Sequence, residues 1–369
     1  MTRHRQFMHK TTSTGARVAP LILAFMVAAV AEPAGAQDGA VGEALGRPAL
    51  AARAPARAVL HGAATAGTRL VAVGERGIIV LSDDGGTSWR QAPVPVSVTL
   101  TAVCFADAKH GIAVGHAGVV LVTADGGETW TRRLDGRRIA EIEIAAAQAR
   151  GDAAALKAAE RLRDDGPDKP LLDLLVFDAR RAIVVGAYGM ALATGDGGQT
   201  WTSWRDRLDN PRERHLYAIR HRGQRIVIAG EQGVVLQSLD SGAHFSRLVL
   251  PYAGSFFTLE LPADKVILVA GLRGNAWRSD DAGAHWQALT SPVPASFTAS
   301  ALRADGSVLL ANQAGMLLTA VPASDALLPL PSLSANTLPS LNAVLPLPDD
   351  RVLALSMQGL LLPGATPAK

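Results

Sequence analysis

Short apolar runs recur along the chain, each cut off by glycine or by a polar turn former. Leu100–Phe105, Gly111–Val114 and Val119–Val122 make one group, and Leu216–Ile219, Ile226–Ala229 and Val234–Leu236 make another. Val266–Ala270 and Ser307–Leu310 belong to further groups. Runs of this length between turn residues predict strands.

Two patterns set the spacing of these groups. The first is a pair of glycines three apart followed by an apolar run, at Gly74–Gly77, Gly115–Gly118, Gly186–Gly189, Gly230–Gly233 and Gly271–Gly274. Weaker copies keep only the second glycine, at Gly315 and Gly359. The first positions (74, 115, 186, 230, 271, 312, 356) lie 41, 71, 44, 41, 41 and 44 residues apart, so there are seven units and one insertion. Eight residues on comes Ser/Thr-x-Asp-x-Gly-x-x-aromatic, clearest at Thr123 to Trp130 and repeated at Ser82 to Trp89, Thr194 to Trp201, Ser238 to Phe245 and Ser279 to Trp286. This composition suits a tight hairpin: the carboxylates of Asp84, Asp125, Asp196, Asp240 and Asp281 accept turn amides, and glycine supplies positive φ. Trp89, Trp130, Trp201 and Trp286 then open the next strand, so we read these aspartates and tryptophans as structural. Each unit holds four strands, A to D, with the double-glycine turn between B and C and the Asp turn between C and D. Repeats of this length and content predict an all-β chain: a seven-bladed β-propeller of four-stranded antiparallel blades.

The insertion, about residues 137–170, falls between blades two and three. Ile139 to Ala149 and Ala153 to Arg163 are rich in helix formers, Gly151 divides them and Asp152 is a good N-cap. The D-to-A and B-to-C connections of a propeller share a face. We therefore expect a helical hairpin beside the ring of double-glycine turns, partly covering the central channel, either as a docking arm or as decoration. The seventh unit lacks a D strand. We expect the segment around residues 45–55 to supply it and close the ring, removing exposed sheet edges.

Residues 1–36 read as a secretory signal peptide: Arg3, Arg5, Lys10 and Arg17 precede an apolar run from Val18 to Ala31, and Ala34-Gly35-Ala36 is a small-x-small cleavage site. Retention as an anchor is the alternative, although the run is short of the roughly 20 residues a spanning helix needs. The remainder, 37–369, is the propeller. We expect an exported, periplasmic monomer with no transmembrane span after cleavage.

Charge changes the picture only after this step. The formal +3 of the whole chain equals the four basic residues and one acid of the leader, so the rest is formally neutral and gives no support to nucleic-acid binding. A single cysteine, Cys104 in an apolar strand, excludes a disulfide framework. The nine histidines show no metal-ligand spacing, and no metal or cofactor is expected.

The repeats resemble those of Asp-box (BNR) propellers. Five Asp turns in register with the double glycine, Gly115 to Trp130 above all, resemble the photosystem II stability/assembly factor family over roughly residues 45–362. The resemblance implies a non-enzymatic factor, lumenal in photosynthetic members, that engages a membrane protein complex. The helical insertion and the loss of the Asp turn in the last two units set this chain apart from the photosynthetic type. With its arginine-rich, lysine-poor usage, they point to a non-photosynthetic bacterial relative.

A turn that repeats while its residues differ is a natural binding surface. The candidates are Arg76, His116, Tyr188, Gln232 and Arg273 on the double-glycine turns, with Arg212 and Arg214 from the connection between blades three and four. That connection and the next hairpin carry Arg205, Arg207, Arg212, Arg214, Arg220, Arg222 and Arg225, the densest cationic stretch after the leader. Arginine suits carboxylate-bearing partners. The rival readings are a sialidase-like glycoside hydrolase, with Tyr188 near Glu231 or Glu75, and a carbohydrate-binding propeller. No catalytic set assembles in the sequence, and no catalytic residue is assigned.

Overall fold

The computed structural model describes residues 40–322, 324–330, 338–348 and 350–362; the leader lies outside them. The strands form seven antiparallel sheets, one per repeat, six running A-B-C-D in chain order and the seventh A-B-C among the described residues. Blade two is representative, with Leu100–Phe105, Gly111–Gly115, Val120–Thr123 and Thr131–Leu134. Each inner strand touches the inner strand of the next blade, and that of blade seven (Leu341–Pro346) touches that of blade one (Leu60–Ala66), which closes the ring.

The apolar runs are continuous because the B and C strands are covered on both faces. In blade one, Val71, Val73, Ile79 and Leu81 face blade two, while Leu70, Ala72 and Val80 face blade seven. Each of the seven blade interfaces has its own apolar cluster. Alternation along a strand thus assigns successive residues to two different cores.

The expected D strand from residues 45–55 does not form. Blade seven has three strands among the described residues, ending at Gly359–Leu361. The segment is instead held on blade one: Ala49 N donates to Val94 O (3.0 Å), Ala52 N to Gln91 Oε1 (2.8 Å) and Gln91 Nε2 to Leu50 O (3.0 Å). Leu45, fully buried in the core between blades one and two, anchors it there, and Pro48 and Pro55 have no N–H for a ladder. Side chains and packing close the ring instead. Leu60, Leu70 and Val80 meet Leu353 and Leu355, Asn342 Nδ2 donates to Leu60 O (3.0 Å), and Arg351 Nη1 donates to Gly85 O (3.3 Å).

The described residues include three α-helices: α1 (Ala40–Gly46), α2 (Gly136–Arg150) and α3 (Ala153–Asp164). Asp135 caps α2 through Arg137 N and Arg138 N, Gly151 ends it at φ 65°, and Asp152 caps α3 through Ala154 N and Ala155 N. Ile139 is fully buried and packs on Gly118, worth roughly 2 kcal/mol of apolar burial. The α2–α3 hairpin leans on the His116–Gly118 turn and on the outer strand of blade three, Thr202–Ser203. It stands beside the turns, as expected, but it does not cover the channel, whose lining comes from the inner strands.

Candidate partner-binding face

The double-glycine turns are built by one hydrogen bond repeated in all seven blades. The second turn residue donates its N–H to the carbonyl that precedes the inner strand: Glu75 to Val59 (2.9 Å), His116 to Thr99 (2.8 Å), Ala187 to Pro170 (3.0 Å), Glu231 to His215 (2.9 Å), and so on to Met357 and Ser340 (3.4 Å). The turns and the starts of the inner strands therefore share a face. The first glycine is needed because a Cβ on Gly115 would lie 2.3 Å from Thr99 O.

The third turn residue is left-handed, with φ of 52° at Arg76, 57° at Ala117, 54° at Tyr188, 51° at Gln232 and 57° at Arg273. Five non-glycine residues held there in register store backbone strain. In three of them a side chain at the head of the inner strand secures the N–H: Tyr188 N to His215 Nδ1 (2.8 Å), Gln232 N to Ser255 Oγ (3.3 Å) and Arg273 N to Ser296 Oγ (3.1 Å). Since His215 Nδ1 accepts, its ring proton resides on Nε2. Arg76, Tyr188, Gln232 and Arg273 thus occupy equivalent, exposed positions. His116 is exposed as well, but it takes the preceding position, and the left-handed residue of blade two is the buried Ala117.

Apolar groups share this face. Tyr188 is 47% exposed, Leu272 37% and Met357 55%. The Tyr188 ring packs edge-on against His215 (centroids 5.0 Å), with Lys169 Nζ 5.8 Å from its centre. The sialidase pairing of Tyr188 with Glu75 or Glu231 gains nothing from this arrangement. Glu75 Oε1 accepts from Val59 N (3.1 Å) and Glu231 Oε2 from His215 N (3.2 Å), so both carboxylates cap inner strands.

The cationic stretch separates into different jobs. Arg205 pairs with Glu213 (2.7 Å) and donates to Tyr188 O. Arg207 stacks on Trp204 at 4.4 Å and donates to Gly242 O (3.2 Å). Arg222 pairs with Asp264 (3.0 Å), and Arg225 is buried against the carbonyls of Ala263 and Val266. Arg214 bonds Gln232 O through Nη1 (3.3 Å), while its buried Nε has no partner. Among the described residues, the guanidiniums of Arg76, Arg212 and Arg273 have neither a carboxylate nor a carbonyl partner.

Arg220 lies on the A–B hairpin of blade four, as expected, but strand A runs on to Arg222 and the Arg220 side chain stands in the central channel. It pairs with Asp173 (2.7 Å) and Glu260 (3.6 Å), and Glu260 accepts from Ser300 Oγ (2.9 Å), so one network links blades three to six. Burial works against the charge on Arg220, but the two carboxylates outweigh it and raise the guanidinium pKa; burial also pushes the Glu260 carboxyl up. A second feature was missed. Each A–B ladder slips at the second residue of strand A, as between Leu100 and Ala102, and the slipped residues, among them His61, Thr101, Tyr217 and Asn342, line the channel. A bulge re-aims a side chain in this way, and no local sequence signal marks it.

The Asp turns are self-contained. In blade two, Asp125 accepts from Thr123 Oγ1 (2.7 Å), Thr129 N (3.0 Å) and Thr129 Oγ1 (2.6 Å), while Trp130 Nε1 donates to Gly127 O (2.9 Å). Hydrogen bonds hold Asp84, Asp196 and Asp281 at about 2. Cys104 packs at the interface of blades two and three, where burial raises its thiol pKa. Among the described residues, no group of three or more His, Cys, Asp or Glu is placed to hold a metal, and no helix is long and apolar enough to cross a membrane.

The family model for the photosynthesis system II assembly factor YCF48 matches residues 81–155 and 163–327. A search of curated proteins returns no match. Among solved structures, YCF48 bound to D1 peptide is similar at 17% identity and a TM-score of 0.63, covering 87% of this chain and 99% of that one. YCF48 from Cyanidioschyzon merolae is similar at 15% identity and 0.61, covering 83% and 95%. The GH74 xyloglucanase from Xanthomonas campestris is similar at 14% identity and 0.59, covering 83% of this chain and 52% of the enzyme. At these identities the likeness is one of fold.

Proposed function

The chain belongs to the photosynthesis system II assembly factor YCF48 family, and on that premise we propose that it is a non-enzymatic scaffold whose double-glycine face captures a peptide segment of a membrane protein complex. The observation that carries this reading is the set of three guanidiniums on one face, Arg76, Arg212 and Arg273, that have neither a carboxylate nor a carbonyl partner among the described residues. Charged groups left free beside the exposed Tyr188 and Leu272 suit a partner bringing carboxylates and apolar side chains. The relative solved with a D1 peptide supports the choice of a peptide as ligand. Carboxylates at Glu75 and Glu231 committed to backbone N–H groups favour a binding role over hydrolysis. We place the protein in the periplasm on the strength of its leader pattern.

The test replaces Arg76, Arg212 and Arg273 together by glutamate and measures capture of membrane-protein segments from a periplasmic and inner-membrane extract. Capture is expected to fall at least tenfold, with thermal stability within about 0.5 kcal/mol of the parent, as for surface substitutions. Undiminished capture removes this face from the reading.

A further inference from the structure

The α2–α3 hairpin encloses a cleft against the connection between blades three and four. It has a volume of about 310 Å³, and its lining includes Glu143, Asp152, Ala155, Ala158, Arg205, Leu208 and Asp209. Five carboxylates face two guanidiniums there. Both guanidiniums are committed, Arg205 to Glu213 (2.7 Å) and Arg150 towards Asp206 (3.8 Å), and Asp152 is spent on capping α3. Two acceptors remain. Asp209 is exposed and unpaired. Glu143 is the more telling: its side chain is 3% exposed, Oε2 accepts from Ser203 Oγ (2.9 Å), and Oε1 has no hydrogen-bond partner.

A buried carboxylate oxygen left unpaired is costly, and a long basic side chain would satisfy it. The lining also holds apolar groups. Ala155, Ala158 and Leu208 offer a surface for an aliphatic stem, while the acidic groups meet the charged head. We propose that this cleft binds the cationic side chain of an arginine or lysine presented by a partner segment. The hairpin is then neither decoration nor a channel lid. It builds half of a second pocket beside Gly189, next to the turn that carries Tyr188. Burial raises the Glu143 carboxyl pKa, with Arg205 and Arg150 drawing it back, so a bound cation also favours the ionised form. The pocket stands independently of the reading of the double-glycine face.

The experiment titrates the full chain with N-acetyl-arginine-methylamide, its lysine counterpart and the neutral isostere N-acetyl-citrulline-methylamide, following the methyl resonances of Ala155 and Ala158. Saturable shifts are expected with arginine or lysine and not with citrulline. Glu143→Gln and, separately, Asp209→Asn are each expected to weaken the cation response several-fold. Asp209 is exposed, so its variant keeps the test open if Glu143→Gln fails to fold. Equal responses to citrulline and arginine, no saturable shift with any probe, or an unchanged arginine response in both variants overturns the proposal.

Discussion

The two faces of the ring are built from repeats of similar strictness, yet they spend their side chains differently. On the Asp-turn face the repeated residues bond to one another: Asp125 to Thr123 and Thr129, Trp130 to Gly127. On the double-glycine face the repeat lies in the backbone, the N–H of the second residue meeting the carbonyl before the inner strand. The side chains there are free to differ, from Arg76 to Tyr188 to Gln232. The lesson is that invariance in side chains marks the supporting face, and invariance confined to backbone marks the face available for recognition.

This contrast is sharpest where it can be broken. The largest effect is expected at Gly115→Val, which drives a Cβ into Thr99 O. A loss of about 3 kcal/mol or outright misfolding should appear in denaturant unfolding; a variant as stable as the parent ends the backbone argument. Asp125→Ala should cost about 2 kcal/mol, because the carboxylate loses several hydrogen bonds although solvent screens it. Partner capture at a permissive temperature should be unchanged, and its loss in a stable variant would give the Asp turn a recognition role. Arg207→Ala should cost about 1 kcal/mol by leaving Gly242 O unpaired. Lysine there is expected to restore little, since it lacks the planar stack on Trp204.

Two pH effects follow. The Asp84, Asp196 and Asp281 carboxyls are held at about 2 against 3.8 for the free group. Their folded pKa lies below the unfolded one, so the stabilisation is complete above 3.8 and drains as pH falls towards 2. The melting temperature should fall steeply in that window, and more gently once the three are replaced by asparagine. The smallest effect belongs to His61 and His116, whose pKa burial lowers from 6.5. The unfolded chain takes up their protons first, so stability should decline slightly as pH drops below 6.5, and replacement of both by glutamine should flatten that decline.

The ring was legible because it is a repeat, and in five of the seven units the turns announce themselves by glycines and an aspartate with little choice of alternatives. Blade four shows what a pattern hides. Phe245 stands where other Asp turns have tryptophan and has no N–H for Gly242 O. Arg207 supplies one from the preceding connection, and Trp204 lays its ring on Gly242. The sequence reading counted Arg207 among loop cations, because its role depends on a contact across 35 residues. The channel position of Arg220 was hidden for a related reason: strand A continues past Ile219, and an arginine in an apolar-looking strand is tolerated only because Asp173 and Glu260 arrive from neighbouring blades. The exposed turn positions of Arg76 and Arg273 were legible because variation within a repeat is local information. The acidic cleft was not, since Glu143 and Asp209 meet only after the hairpin has packed.

The seam between blades seven and one carries a mechanical consequence. Many rings of this type are imagined as welded, with one end of the chain stitched into the other end's sheet. Here, among the described residues, the join is a clasp of apolar side chains, one asparagine and one arginine, with the 52–58 segment packed on the outer strands of both blades. A clasp opens without unravelling either sheet. Parting the circle there breaks side-chain contacts alone and leaves the ladders of both sheets whole.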